Sequence, residues 1–116
     1  MRLASGFLAF ILAGLPAIAQ TATPISVPSD SKARYWMVEG KRTGSAMVEI
    51  MTKREGPSGT SYSLRQIDCA RRQFRYLGDG DTLVAAKNGT ASPRMGPLMS
   101  GSISTEVADF ACANIR

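Results

Sequence analysis

The sequence predicts an α+β domain: a mainly antiparallel β-sheet of about five to six strands, with one C-terminal helix packed on it and tethered by a disulfide. Three observations carry this expectation. Short β-favouring runs, separated by Gly, Pro and Asp turns, fill residues 34–87. The apolar period then lengthens to a helical one over residues 103–113. The chain's two cysteines, Cys69 and Cys112, fall one in each region.

The strands follow in order. Residues 34–39 contain Tyr35-Trp36-Met37-Val38, the first β-favouring run, and Trp36 is expected in the core. Residues 40–44 form a charged turn. Residues 45–52 set Ala46, Val48 and Ile50 against Met47, Glu49 and Met51, a period-two pattern that gives the second strand. Gly56, Pro57 and Gly59 mark residues 53–60 as a loop. Residues 61–69 alternate Tyr62 and Leu64 with Ser63 and Arg65, the third strand. Residues 70–72 are a polar connection. In residues 73–77, the fourth strand, Phe74 and Tyr76 share one face and Arg75 takes the other. Gly78-Asp79-Gly80-Asp81 reads as a tight turn, because Gly and Asp tolerate positive φ. Residues 82–87 are the fifth expected strand, and residues 88–99, with Pro93, Gly96 and Pro97, a long loop. Connections this short exclude parallel crossovers. Ile103, Val107 and Phe110, beside Ala111 and Cys112, define the helix, with Ser102 as its N-cap.

The start of the chain has a different logic. Met1-Arg2, an apolar run from Leu3 to Leu15 and the small-x-small box Ala17-Ile18-Ala19 match a secretory signal peptide over residues 1–19. The apolar run is shorter than the roughly 20 residues a membrane span needs. No permanent membrane anchor is expected after cleavage, and the product is exported, to the periplasm, the cell surface or the medium. Residues 20–33, rich in Thr, Pro and Ser, read as a flexible leader, leaving residues 34–116 as the domain.

An even cysteine pair in a short exported chain reads as a disulfide. A metal site would want about four ligands, and the chain has no histidine. A redox pair would more often be spaced C-x-x-C. Setting Arg2 aside, thirteen basic residues face nine acids, a net charge of about +4. Their densest group is Arg71, Arg72 and Arg75, the candidate patch for an anionic protein or glycan partner. Nucleic acid is not expected, since no binding motif is present. A homodimer is an open alternative.

Catalysis is not expected. Without histidine, Ser-His-Asp and Cys-His arrangements cannot form within the chain. Glu39, Glu49 and Asp68 lie on expected strands and read as solvated faces rather than a glycosidase pair. Asp79-Gly80-Asp81 lacks the remaining spacing of a calcium loop, and Gly78-x-Gly80 lacks the third glycine of a dinucleotide site. The methionines lack the M-x-M clustering of a copper site. No cofactor or metal is expected.

Two stretches carry a resemblance. Arg65-Gln66-Ile67-Asp68-Cys69 is followed by Arg72-Gln73-Phe74-Arg75-Tyr76-Leu77. Later, Gly101-Ser102-Ile103-Ser104-Thr105-Glu106-Val107-Ala108 precedes Phe110-Ala111-Cys112. Together they resemble the surface-adhesin protein E family of bacterial exported proteins, over about half of the expected mature chain. The resemblance implies an antiparallel sheet with a C-terminal helix held by Cys69 and Cys112. It also implies a non-enzymatic, adhesin-like binding domain, since members of that family bind host-matrix proteins. The alternatives are an accessory subunit of an envelope assembly, docking through an exposed sheet edge or the loop at residues 93–99, and an uncharacterised periplasmic enzyme.

Overall fold

The computed structural model describes residues 22–116. The expected signal peptide lies outside them. Six antiparallel strands form one meander in chain order: β1 (Thr23–Ile25), β2 (Arg34–Arg42), β3 (Met47–Gly56), β4 (Gly59–Asp68), β5 (Gln73–Gly80) and β6 (Gly96–Pro97). A short helix α1 (Leu83–Lys87) follows β5, and α2 (Ile103–Asn114) closes the chain. The fold is α+β, and Cys69 and Cys112 form a disulfide with Cα atoms 5.8 Å apart. None of the helices among the described residues is long and apolar enough to cross a membrane.

Period-two alternation sorts the sheet into two faces. On the first, Val48, Ile50 and Ile67 are fully buried against Val107, Ala108 and Ala111 of α2. Ser102 caps that helix as expected, its hydroxyl accepting from the Thr105 N–H at 3.1 Å. Ile115, just past the helix, completes the core.

Five expectations are corrected. The leader is structured from Thr23 onward. β1 pairs with Tyr35, Trp36 and Met37, and Ile25 and Val27 enter the core. The prolines there disguise a strand, but Pro24 lies on an edge strand, where a missing N–H is tolerated. The 3₁₀ turn Pro28–Asp30 is also held from α2, where Glu106 Oε1 accepts from the Ser29 N–H and hydroxyl at 3.1 and 2.7 Å. The expected loop at residues 53–60 is instead a tight hairpin. Gly56 pairs with Gly59, whose φ of 118° suits only glycine. The expected turn at residues 78–81 extends β5 to Gly80, paired with Tyr62. The expected fifth strand is α1, started by Thr82, whose hydroxyl accepts from the Ala85 N–H at 3.1 Å. Trp36 is half-buried on the second face, under the Lys53 ammonium at 5.8 Å, and Tyr35 takes the core position.

Tyr35 and Arg54 both donate to Asp30 Oδ2 at 2.8 Å, pinning the β1–β2 connection to β3. The Arg54 hydrogen bond, then that of Tyr35, holds the Asp30 carboxyl below its ordinary pKa. A depressed carboxylate contributes stability above its unfolded pKa and loses it as pH falls through the folded value. Acid unfolding of Asp30→Asn followed by circular dichroism therefore gives a shallower loss of stability below about pH 4 than the wild type shows.

Candidate functional site

The second sheet face carries a cavity lined from β2, β3, β4 and α1. A one-residue irregularity at Val38 shifts the β2–β3 register, so that Glu39 lies opposite Met51 and Lys41 opposite Glu49. Met51 is fully buried and, with Leu64 of β4, floors a cavity of about 330 Å³. Glu39, Lys41, Glu49 and Lys87 wall it. The walls are tied in pairs: Lys87 reaches Glu39 at 2.8 Å, and Lys41 reaches Glu49 at 4.0 Å. These pairs are solvent-exposed and add little stability, so their role is to shape the rim.

Helix α1 makes this groove. It packs on β5 and β4, and its position depends on glycine. A Cβ at Gly78 would collide with the Ala86 carbonyl oxygen, and one at Gly80 would sit 2.6 Å from Ala85 Cβ. The backbone of β5 is thus bare where the helix lies on it.

The groove borders an open strand. β1 covers only Tyr35, Trp36 and Met37 of β2, so among the described residues 39–42 pair with β3 alone. Glu39, Lys41 and Arg42 on this edge limit indiscriminate strand pairing. A second depression, of about 440 Å³, is lined only by residues 24–36 and is the local hollow of the β1–β2 connection.

The three expected patch arginines are not brought together. Arg72, in the β4–β5 turn with φ 56°, pairs with Asp109 of α2 at 2.7 Å. Arg75 points to the second face, where its Nε donates to Gln66 Oε1 at 2.7 Å and its Nη1 to the Ser92 carbonyl at 3.1 Å. Arg71 is exposed, its backbone N–H held by Asp68 Oδ1 at 2.9 Å. Neighbours in sequence diverge here because a strand alternates faces and the turn redirects Arg72 toward the helix.

The polar cluster that the sequence reading missed is centred on Arg65. It was expected opposite an apolar Tyr62–Leu64 face, yet it is 3% exposed on the helix-covered face, beside Ile67, while Leu64 faces the groove. A register shift between Leu64 and Arg65 accompanies this placement. Arg65 Nε donates to Ser104 Oγ at 3.1 Å, Nη1 to Thr52 Oγ1 at 3.0 Å and Nη2 to the Tyr76 hydroxyl at 3.4 Å. The only sequence signal for this was Ile67, which shares the parity of Arg65 and so fixes its face.

Among the described residues no group of three or more His, Cys, Asp or Glu side chains gathers as a metal centre would require. Comparison with family models, with curated proteins and with solved structures found no match to this chain.

Proposed function

We propose that this chain is a small exported, non-enzymatic binding domain of the bacterial envelope or surface, of the surface-adhesin protein E type, and that it takes an extended polypeptide along the outer edge of β2. The observation that carries the reading is the 330 Å³ groove beside the β2 edge at residues 39–42. In strand addition, main-chain hydrogen bonds supply affinity, and a side-chain pocket on the adjoining face supplies specificity. Met51 and Leu64 suit one apolar side chain, and Glu39 and Lys41 favour a segment with charges of both signs around it. The signal-like N-terminus and the disulfide favour export.

The test is a photo-crosslinking residue placed at Lys41, whose side chain is 70% exposed on the groove rim, in intact cells. The expected result is one dominant adduct, lost when Leu64→Glu is added and absent when the crosslinker stands at Arg71. A host-matrix protein in that adduct marks an adhesin, and a single envelope complex marks an accessory subunit. An adduct at Arg71 with none at Lys41 would move the binding surface to the β4–β5 turn and sink this reading.

A further inference from the structure

We infer that Arg65 is the centre of a second binding site, for an oxyanion group (a carboxylate or a phosphate), on the helix-covered face and separate from the groove. A guanidinium that is 3% exposed needs compensation for its lost hydration. Its partners here are the neutral hydroxyls of Ser104, Thr52 and Tyr76. None of the five ion pairs among the described residues includes it. Each of its three guanidinium nitrogens has one hydroxyl partner and the Tyr76 ring faces the cation at 5.0 Å, but only three of the five N–H groups are used and, among the described residues, no carboxylate pairs with it.

The surroundings add positive character and, among the described residues, no counter-ion. Ser104 lies in the first turn of the 12-residue helix α2, whose N-terminal end carries positive partial charge. The acid of that turn, Glu106, is committed to Ser29 on the far side. Two positive features therefore meet at one buried point, the arrangement that an oxyanion would neutralise.

Tyr76 is the way in. Its ring lies 5.0 Å from the Arg65 Cζ and it is 37% exposed, so it forms the solvent-side roof. Its hydroxyl makes the longest of the Arg65 contacts, at 3.4 Å, and also sits 3.2 Å from Ser104 Oγ. An incoming oxygen replaces the Tyr76 hydroxyl at Nη2, and the hydroxyl protons of Tyr76 and Ser104, one of which now serves their mutual hydrogen bond, become donors to it.

The test is thermal unfolding of the protein in phosphate and in acetate, with ionic strength held constant by sodium chloride. The expected result is a Tm that climbs by about 5–10 °C per tenfold increase in the effective anion once its Kd is passed. A response to phosphate alone identifies a phosphate site, and a response to acetate identifies a carboxylate site. Arg65→Met loses the response and Arg71→Met keeps it. Should Arg65→Met fail to fold, the Arg65 Nε–H resonance of the wild type is followed by NMR during the same titrations, and its saturable shift is the supporting result. A Tm set by ionic strength alone, a response retained in Arg65→Met, or an unmoved Arg65 resonance would overturn the proposal.

Discussion

Replacing both cysteines, Cys69→Ser with Cys112→Ser, is expected to lower the unfolding free energy by about 4 kcal/mol. The two residues are 43 positions apart, and a cross-link closing a loop of that size removes much of the freedom of the unfolded chain. The loss is large against the roughly 5–15 kcal/mol that holds a domain of this kind together. The structure adds a reason specific to this fold. Cys112 belongs to the last turns of α2, and Cys69 follows the end of β4. The residues that α2 buries fully are small, Val107, Ala108 and Ala111, while the larger Ile103 and Phe110 are only partly buried against the core, so the helix brings modest apolar area to the sheet. Urea unfolding measures the effect. With a slope of about 1–3 kcal/mol per molar, the midpoint falls by about 1–4 M. A fall of less than about 0.5 M would mean that packing alone holds the helix on the sheet.

Gly78→Ala is expected to cost about 1–3 kcal/mol, as overpacking in a close-packed site does. The added methyl would collide with the Ala86 carbonyl oxygen and lie 3.1 Å from Gly89 Cα. Both are backbone atoms, so no change of side-chain rotamer relieves the contact, and α1 must lift from β5. Lifting it carries Lys87 away from Glu39 and opens one wall of the groove. Hydrogen exchange read by mass spectrometry therefore shows faster exchange in residues 83–89, with the first-face core at Val48 and Ile67 unchanged. Partner capture from Lys41 is lost in the same variant. Unchanged exchange and undiminished capture would mean that α1 has no part in forming the groove.

The first half of β3 was legible because its helix-covered face is buried and apolar there, so Val48 and Ile50 alternate cleanly with Glu49; the same face continues with the polar Thr52 and Arg54, where the expectation stopped short. α2 was legible for the matching reason, with a capping Ser102 ahead of an apolar stripe. Most of the failures share a cause: the deciding interaction was not local. The short helix is the exception: Val84 favours a strand, but Leu83, Ala85, Ala86 and Lys87 are helix formers behind the capping Thr82, and the bare backbone at Gly78 and Gly80 gives that helix its seat. Residues 22–33 look unstructured in composition, yet Ile25 and Val27 are drawn into a core that also receives Ile115. Arg65 was hidden because a charged residue in an alternating strand is read as solvent-facing. Its neighbours Thr52, Tyr76 and Ser104 come from three other elements, and only the fold assembles them. For Arg71, Arg72 and Arg75 sequence proximity says less than it suggests, because Arg72 is engaged by Asp109 of α2 and Arg75 by Gln66 on the second face.

The most direct measurement of the proposed binding mode is amide hydrogen exchange of the wild type with and without the partner captured from Lys41. A strand added to the sheet must hydrogen-bond to the outward-facing amides of β2. Slowed exchange confined to residues 38–42 and the groove residues beside them is the expected result. Protection at residues 70–75, with residues 38–42 exchanging as they do in the free protein, would contradict it.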